Sequence, residues 1–527
     1  MLSFVAAAVS AVASSGCPGG GAGLGDPCDN SGNCEGRYQC LRNVCVPLCK
    51  NGPECGDGYS CDADGICHEA TGQPGDLCQS ETDCAAGLTC RLDPKDPDRG
   101  VQLDARDRLV AHCTSQNQGR PVNTTCTKGD ECRNGMCSLG RCVDLCVGER
   151  DCVTGTSCQG IPSIEHDGMF LAGCLQSKGA LAWSIPLSAP TGPIAFPVPT
   201  GAQSALLAFS VDDPTQKVGA QLLTSPAPDD EVLYTKPCEP NFIPGNEMCT
   251  PDKANEQYYS NPVRHAPEFG QSVLLMPSSS SVPLQSGMYG ARVSSYRANG
   301  TGGTAIPRVT AVVRIGPALV LDLNFHFLDL DSHPCQDQFG GARLDGTSAQ
   351  AEAYFQSTYL DRLRSIFANG NIALGTITYR DILDHPDLDG LDVADAGALL
   401  ELGTAATGIN VFFVRSLSPI GLQAFGPNPG PAGLGGTRRS GIVIGLDTLC
   451  YRSWEQVARL TAHELARYMG LYHNVEHTRG PGGVPWRDAI NDSDDSPTNL
   501  MYYSELGGGT DLSPGQREIL MRSGVLR

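Results

Sequence analysis

The sequence predicts a multidomain protein that combines disulfide-rich repeats, an all-β sandwich and a C-terminal α+β domain. At roughly 100–200 residues per domain, the length of 527 residues predicts about three or four domains. Twenty of the 25 cysteines lie between Cys28 and Cys174. After Ala318, apolar runs typical of strands alternate with runs of helical period.

Composition and charge exclude several functional classes. Hydrophobic residues make up 40% of the chain, which is enough to build cores. The 37 basic and 58 acidic residues give a net charge of −21. A chain this acidic is not expected to bind nucleic acids or anionic membranes through a basic surface. No run of about twenty apolar residues follows the first few positions, so an internal membrane span is not expected.

The N-terminal segment predicts export. Residues 1–17 are apolar, of signal-peptide length, and end in small residues. Cys17 follows Ser-Ser-Gly, which resembles a bacterial lipoprotein cleavage site, and its removal leaves an even 24 cysteines. We expect lipidation at Cys17, with the Gly-rich residues 18–27 as a flexible linker and the lipid as the only contact with a membrane. Ordinary cleavage and secretion is the alternative to a cell-surface or outer-membrane lipoprotein.

The cysteines of residues 28–174 repeat as five units of four. The units are Cys28, Cys34, Cys40 and Cys45; Cys49, Cys55, Cys61 and Cys67; Cys78, Cys84, Cys90 and Cys113; Cys126, Cys132, Cys137 and Cys142; and Cys146, Cys152, Cys158 and Cys174. Zinc knuckles are expected to carry paired C-x2-C, whereas the spacing here is mostly C-x5-C. We therefore predict disulfides formed in an oxidising compartment.

Each unit is too short to build its own hydrophobic core, so two disulfides per unit are expected. Four cysteines allow three pairings, and the sequence leaves the choice open. The units resemble the small Cys-rich repeats of extracellular proteins. That resemblance fits a module that binds a partner and also a stiff, protease-resistant stalk, which is the interpretation we favour.

Residues 175–316 predict a β-sandwich. Short β-rich runs recur between Pro, Gly and Ser clusters, as in Ser204–Val211 and Arg308–Val313. Cys238 and Cys249 are close enough in sequence to close one loop. No cluster of histidines or carboxylates stands out, so we assign this domain no chemistry.

Residues 317–527 predict an α+β domain. The sequence indicates the following elements: strands at Leu319–Leu328, Ile409–Val414 and Gly441–Leu446, and helices at Ala349–Ala368, capped by Thr347-Ser348, and at Trp454–Tyr472. Cys335 and Cys450 remain after the other cysteines are grouped, and we expect them to pair.

The last of these helices carries HELARYMGLYH at residues 463–473. This segment resembles the metzincin signature H-E-x-x-H-x-x-G-x-x-H of zinc endopeptidases. The resemblance implies that His463 and His473 are zinc ligands and that Glu464 is the general base acting on a zinc-bound water. It also implies that Gly470 ends the helix with a turn that other residues resist.

A second segment strengthens the resemblance, which covers about the last two-fifths of the chain. Met501 lies 28 residues after His473 in the sequence NLMYY and looks like the Met-turn that forms the floor of a metzincin zinc site. Tyr503 matches the position where some metzincins place a tyrosine that stabilises the oxyanion. The resemblance thus implies Zn²⁺ as cofactor and a protein or peptide as substrate.

The chain departs from the signature at Arg467, which occupies the position of the second histidine. A guanidinium has no lone pair for a metal. At about 4 Å and an effective dielectric near 20, its charge beside Zn²⁺ costs roughly 8 kcal/mol. Structural zinc sites are worth on the order of 10–16 kcal/mol, so a guanidinium held there would cancel most of the affinity for zinc.

Two hypotheses follow from Arg467. In the first, His477 replaces the missing ligand, and the protein is a zinc metalloendopeptidase that cleaves extracellular or surface proteins. In the second, the Arg467 guanidinium occupies the metal position and pairs with Glu464. The domain is then a catalytically inactive pseudoprotease that serves as a binding or structural protein.

Overall fold

The computed structural model describes residues 70–235 and 263–527, with internal gaps of no more than five residues, and four short strands between residues 38 and 69. The predicted signal peptide, Cys17, the Gly-rich linker and the Cys238–Cys249 loop lie outside the described residues. Within the described part of the chain, no helix has both the length and the apolar character that a membrane crossing requires.

The Cys-rich region folds as two-stranded antiparallel hairpins, one in each predicted unit. Their strands are β1 (Tyr38–Leu41), β2 (Val44–Pro47), β3 (Tyr59–Cys61), β4 (Cys67–Glu69), β5 (Thr89–Leu92), β6 (Ala111–Thr114), β7 (Cys137–Ser138), β8 (Arg141–Cys142), β9 (Thr156–Ser163) and β10 (Met169–Gln176). Each hairpin places the third and fourth cysteines of its unit directly opposite each other, as Cys90 and Cys113 are.

Disulfides in the third, fourth and fifth units join the first cysteine to the third and the second to the fourth. The bonds are Cys78–Cys90, Cys84–Cys113, Cys126–Cys137, Cys132–Cys142, Cys146–Cys158 and Cys152–Cys174. The predicted disulfides are thus confirmed in these units, and the pairing left open by the sequence is resolved. In each of these three units, two interlaced disulfides connect the first half of the unit to its hairpin.

The described repeat units pack on one another. Thr82 of the third unit donates a hydrogen bond to Asp151 of the fifth at 3.2 Å. Asn134 of the fourth unit donates to Glu81 of the third at 3.1 Å, and Arg91 donates to two backbone carbonyls of the fourth unit. These contacts differ from the end-to-end arrangement of a stalk, because the third unit contacts both of the units that follow it.

Two five-stranded antiparallel sheets form the next domain. Their strands are β11 (Gly179–Ile185), β12 (Thr191–Val198), β13 (Ala202–Ser210), β14 (Lys217–Thr224), β15 (Val232–Thr235), β16 (Arg264–His265), β17 (Glu268–Phe269), β18 (Gln271–Met276), β19 (Gly287–Tyr296) and β20 (Arg308–Ile315). One sheet has the order β11-β20-β13-β18-β16 and the other β12-β19-β14-β15, with β17 also on β14. Alternate residues such as Phe196, Leu207 and Val293 fill one core between them.

The core of the sandwich continues into the repeats. Leu92, Met136 and Leu145 of the Cys-rich region belong to the same buried cluster as the sandwich residues. The disulfide-bonded units therefore gain a hydrophobic support that their own length could not supply.

The C-terminal domain is built on a third five-stranded sheet. Its elements are β21 (Val320–Leu328), α1 (Gly346–Ala351), α2 (Asp361–Asn369), β22 (Ala373–Ile382), β23 (Gly390–Asp392), α3 (Ala396–Glu401), β24 (Ile409–Val414), β25 (Ser416–Ser418), β26 (Ala424–Phe425), β27 (Gly441–Gly445), α4 (Trp454–Tyr468), β28 (Val475–Arg479), β29 (Pro485–Arg487) and α5 (Pro514–Met521). The order is β22-β21-β24-β27-β26, parallel except for β26.

Helices cover both faces of this sheet, and its central strands β24 and β27 are buried at every residue. Leu363 of α2 and Leu465 of α4 pack with Phe325 on one face. Leu399 of α3 packs with Phe412 on the other. The predicted disulfide between Cys335 and Cys450 is present.

Two predicted helix boundaries are wrong. The helix expected at 349–368 is divided into α1, a π-helical segment at Tyr354–Leu360 and α2. Asp345 caps α1 by accepting a hydrogen bond from the Ser348 backbone N–H at 2.7 Å, so the cap precedes the expected Thr347-Ser348. The motif helix ends at Tyr468, four residues before the predicted end, because the chain turns at Gly470.

The sandwich packs against the C-terminal domain. Leu206 and Leu275 on the outer face of one sandwich sheet contact Leu434. Ser204 donates to the Arg522 carbonyl at 2.6 Å, and Arg314 donates to the Leu526 carbonyl at 2.7 Å. The predicted multidomain, β-rich and disulfide-rich architecture is confirmed, whereas the metzincin-like identity of the last domain stays a prediction.

Trypsin offers a direct test of the disulfide pairing, because Lys128, Arg133 and Arg141 separate the four cysteines of the fourth unit onto different peptides. We expect mass spectrometry of the unreduced digest to find Cys126 linked to Cys137 and Cys132 linked to Cys142. Reduction before digestion is the control and must release both pairs. Peptides that link first to second and third to fourth cysteines would contradict the structure.

Candidate functional site

Helix α4 positions the motif residues in the interior of the C-terminal domain. Ser453 caps it: its hydroxyl accepts from the Gln456 backbone N–H at 3.4 Å, and the Gln456 side chain accepts from the Ser453 N–H at 3.0 Å. Almost every residue of the helix is buried, and His463 and Glu464 are each 2% exposed. Their rotamers are therefore held by packing as well as by hydrogen bonds.

The helix ends in a left-handed turn at Gly470, where φ is +114°. The Gly470 N–H donates to the Arg467 carbonyl and the Leu471 N–H to the Ala466 carbonyl, both at 3.0 Å. This pair of bonds is the Schellman arrangement, which favours glycine because a side chain is strained at positive φ. The turn reverses the chain and returns His473 to the side of His463.

Two imidazoles face each other across this turn. The Nε2 atoms of His463 and His473 are 3.3 Å apart. His463 Nδ1 donates to the Leu500 carbonyl at 2.8 Å, and His473 Nδ1 donates to the Glu476 carboxylate at 3.0 Å. The Nδ1 contacts leave the two Nε2 atoms facing each other. Two nitrogen ligands about 2.05 Å from a tetrahedral zinc would be separated by about the same 3.3 Å.

The segment expected to form the Met-turn lies beneath these rings. Met501 is fully buried, and its N–H donates to the Asn499 side chain at 2.8 Å. The Leu500 carbonyl holds His463, while the Met501 carbonyl accepts from the Asn474 N–H at 3.1 Å. This segment therefore orients one imidazole and also fixes the chain just after the other.

The guanidinium of Arg467 contacts the carboxylate of Glu464. Its Nη1 atom is 3.4 Å from both carboxylate oxygens of Glu464. The Glu464 side chain is 2% exposed and the Arg467 side chain 26% exposed, so the carboxylate is buried while the guanidinium reaches the surface. A Cβ at Gly426, beside strand β26, would lie only 3.1 Å from Glu464 Oε2, so the glycine leaves room for the carboxylate.

Electrostatic effects at the site follow from this arrangement. Burial lowers the pKa of His463 well below its ordinary value, and the nearby His473 and Arg467 lower it further. Burial acts to raise the pKa of Glu476, but the hydrogen bond from His473, together with the charges of Arg467 and Arg264, outweighs it and lowers that pKa. His463 is therefore neutral and Glu476 ionised at neutral pH.

The donors at this site do not fit a catalytic zinc centre, which takes three protein ligands. His463 and His473 supply two, and Arg467 supplies none. Among the residues that the structure describes, the groups of three or more His, Cys, Asp or Glu close enough to share a metal ion consist only of disulfide-bonded cysteines. His477 belongs to strand β28, but its side chain lies outside the described residues, so its role as a ligand stays a prediction.

Tyr503 is partly buried two residues beyond Met501 and contacts Tyr502, with 4.7 Å between the ring centroids and the ring planes tilted by 37°. This contact neither supports nor opposes the predicted role of Tyr503 in stabilising an oxyanion, which stays a prediction.

A cavity of about 480 Å³ opens beside Arg467. Its walls are Arg264, Glu268, Arg439, Arg467, Tyr472, Glu476 and the segment 425–428. Arg264, Glu268 and Arg439 are not among the site residues predicted from the sequence. The first two belong to the sandwich, some 200 residues before the motif, and only the packing of the two domains brings them to the site.

Arg264 connects the sandwich to the end of the motif helix. It is 2% exposed, its Nη1 donates to the Gly470 carbonyl at 3.0 Å, and its guanidinium lies over the Tyr472 ring. Next to it, Glu268 forms an ion pair with Arg439. The sandwich therefore supplies one wall of the cavity.

No family model matches the chain. Among curated proteins, the chain is similar to the Turripeptide OL55-like protein of Iotyrris cingulifera, with 28% identity over 114 residues. That match spans 22% of this chain and 96% of the other protein. The likeness is too low and too short to place the chain in a family.

We expect Gly470→Ala to destabilise the protein through the domain contact. A Cβ at Gly470 would lie 2.7 Å from the Leu275 side chain of the sandwich, in addition to the strain at positive φ. Gly436 is the matched control, because its φ is +67° and the nearest atom to an added Cβ is 3.9 Å away. Thermal unfolding should show a loss of about 2–3 kcal/mol for Gly470→Ala and about 1 kcal/mol for Gly436→Ala. Equal losses would contradict the contact with Leu275.

The loop before the Met-turn segment contains a carboxyl group that titrates near neutrality. Burial raises the pKa of Asp488 to about 7, against hydrogen bonds that its carboxylate accepts from the Ser493 hydroxyl at 2.9 Å and the Ile490 N–H at 3.2 Å. Its folded-state pKa lies above the unfolded value, so its contribution to stability is complete below about pH 4 and is lost as the pH rises through about 7.

Asp488→Asn should remove this pH dependence. We expect the thermal midpoint of the variant to exceed that of the unsubstituted protein by at least about 2 °C at pH 8 and to match it near pH 4. Asp387→Asn, at an exposed position, is the control and should shift neither value. A difference that is constant across this pH range would contradict the assignment.

Proposed function

We propose that this is an exported protein whose C-terminal domain is a non-catalytic relative of the metzincin zinc peptidases and binds peptide segments without cutting them. The observation that carries the proposal is the position of Arg467, which stands where the signature requires a metal ligand and contacts the carboxylate of Glu464 at 3.4 Å.

This contact changes what Glu464 can do. In the peptidases that the motif resembles, this glutamate takes a proton from a metal-bound water. Here the carboxylate faces a guanidinium, which keeps its protons at neutral pH and cannot hold water as a Lewis acid does. The ion pair gives the buried carboxylate a cationic partner and supplies no metal-bound water for it to activate.

The surroundings of the ion pair support binding. The cavity of about 480 Å³ falls within the range of roughly 300–1,000 Å³ typical of ligand sites. Its walls include the segment 425–428, which continues from β26 at the edge of the sheet. An edge strand offers backbone groups to which an extended peptide can bond. A peptide segment is therefore the ligand that we propose for this cleft.

The disulfides of the described repeats support an extracytoplasmic location, because such bonds persist in oxidising compartments. Within that location we propose a lipid anchor at Cys17, on the basis of the cleavage-site resemblance and the even number of remaining cysteines. The anchor would hold the binding domain near the membrane. The chain itself, with its net charge of −21, has no electrostatic attraction to an anionic membrane surface.

A zinc-dependent endopeptidase is the second candidate. It is favoured by the facing Nε2 atoms of His463 and His473, whose Nδ1 atoms are both held as donors. This function requires a third ligand, for which His477 is our candidate.

Zinc content and Arg467→His separate the two functions. After dialysis of the full-length protein against micromolar zinc, elemental analysis should find well below one zinc per chain. Arg467→His should raise this to about one, because histidines at i and i+4 share a helix face and the substitution also releases Glu464. Peptide cleavage should appear with the metal and disappear again in the double variant Arg467→His, Glu464→Gln.

Arg364→His is the control, since it makes the same change on the exposed side of α2 and should add no zinc. One zinc per chain in the unsubstituted protein, with cleavage that a chelator stops, would overturn the proposal in favour of the endopeptidase.

A further inference from the structure

A second cavity, of about 420 Å³, lies between the third and fifth repeat units. Leu77 and Leu109 line it on one side, and Leu145, Val147 and Leu171 line it on the other. It shares no described lining residue with the cavity beside Arg467. Its volume falls within the range of roughly 300–1,000 Å³ that is typical of ligand sites. The Cys-rich region therefore contains a candidate binding site of its own.

The two walls of this cavity are built in the same way. In each unit, the residue before the first cysteine forms an antiparallel bridge with the residue before the fourth, as Leu77 does with His112 and Leu145 with Gly173. The N–H of the first cysteine donates to the carbonyl two residues before the fourth, at 3.0 Å in the third unit and 3.1 Å in the fifth. Disulfides at the first and fourth cysteines fix both edges. The cavity is therefore preformed, which lowers the entropic cost of binding.

Two apolar side chains of the lining are exposed to solvent. Leu77 is 65% exposed and Val147 is 63% exposed, and among the described residues only Ile420 is a more exposed large hydrophobic residue. Exposed apolar groups that gather in one place are typical of interaction sites, because their removal from water is favourable. Since both side chains line the same cavity, one apolar group of a ligand can cover them together.

Asp83 is the one charged side chain among the described residues of this lining. Its Oδ2 atom accepts hydrogen bonds from the backbone N–H groups of Gln79 at 2.7 Å and Ser80 at 3.1 Å. Both donors are neutral, so the carboxylate keeps its negative charge, and Asp83 is exposed. A cation on the ligand would complement this charge and orient the ligand at the site.

We infer that this cavity binds an apolar side chain of a partner protein, next to a lysine or arginine of the same partner. The apolar walls supply the affinity, and Asp83 selects the basic neighbour. A fatty acid fits less well, because its carboxylate would meet the carboxylate of Asp83. The repeats then serve as a binding module, at a site separate from the cleft of the C-terminal domain.

Three matched peptide pools test the inference on the full-length, disulfide-bonded protein. All are amidated hexapeptides with the same N-terminal fluorophore and with uncharged polar residues around a fixed central pair, which is Leu-Lys, Ser-Lys or Leu-Glu. By fluorescence anisotropy, we expect the Leu-Lys pool to bind about tenfold or more tightly than the Ser-Lys pool, because the Leu side chain leaves water. We expect it to bind about threefold more tightly than the Leu-Glu pool, since an exposed carboxylate discriminates modestly.

Variants connect these preferences to the cavity. The double variant Leu77→Ser, Val147→Ser should reduce the preference for Leu over Ser to less than about threefold. The double variant Leu383→Ser, Val232→Ser is the matched control, because it changes the same residue types at 54% and 55% exposure outside the cavity lining. Asp83→Asn should remove the preference for Lys over Glu and leave the preference for Leu, since an amide oxygen can still accept the two backbone hydrogen bonds.

Thermal unfolding verifies that each variant is folded, and Val147→Ser alone replaces the double variant if that variant is unfolded. Equal binding of the Leu-Lys and Ser-Lys pools, or a preference that survives in the cavity variant, overturns the site. Equal binding of the Leu-Lys and Leu-Glu pools overturns the basic neighbour.

If no pool binds, octyl glucoside below its micellar concentration decides between the remaining outcomes. A rise in thermal midpoint that the cavity variant abolishes assigns the cavity to an alkyl chain and overturns the protein partner, and no rise overturns the site altogether. The zinc content of the Arg467→His variant is unaffected by any of these results, so failure here leaves the proposed function of the C-terminal domain intact.

Discussion

The left-handed turn at Gly470 is the constraint on which both the candidate site and the domain contact depend. It stops helix α4 and returns His473 to within 3.3 Å of His463. The Gly470 carbonyl accepts a hydrogen bond from Arg264 of the sandwich. The absence of a Cβ at Gly470 leaves room for Leu275, which also belongs to the sandwich. A local requirement of backbone conformation thus also determines where a second domain can pack.

Under the proposed function, the guanidinium of Arg467 takes the place of the positive charge of a metal ion, beside two imidazoles that are held by hydrogen bonds. The imidazoles are still held through their Nδ1 atoms by Leu500 and Glu476. These outer contacts and the packing hold the two Nε2 atoms 3.3 Å apart, about the separation that two ligands of one tetrahedral metal would have. A guanidinium in this place favours recognition of anions over activation of water, because it offers donors and no empty coordination position.

Much of the architecture follows from local pattern. Strand β24 occurs at the predicted Ile409–Val414, because a strand buried on both faces is a continuous apolar run. The helix predicted at 349–368 is interrupted, since the period of the apolar residues does not report a π-helical segment. Disulfide pairing and the clustering of the repeats depend on contacts distant in sequence. Arg264 and Glu268 were missed for the same reason, because no motif accompanies a residue that reaches a site only through domain packing.

The disulfide between Cys335 and Cys450 encloses most of the sheet of the C-terminal domain and ends just before α4. Everything between these cysteines, including the segment 425–428 and Arg439, belongs to one covalent loop of the chain. If an extracellular protease cut the chain once inside this loop, the disulfide would keep the two fragments joined. The damaged molecule would still migrate as a single chain without reducing agent, and the walls of its cleft would stay attached to the helix that carries Arg467.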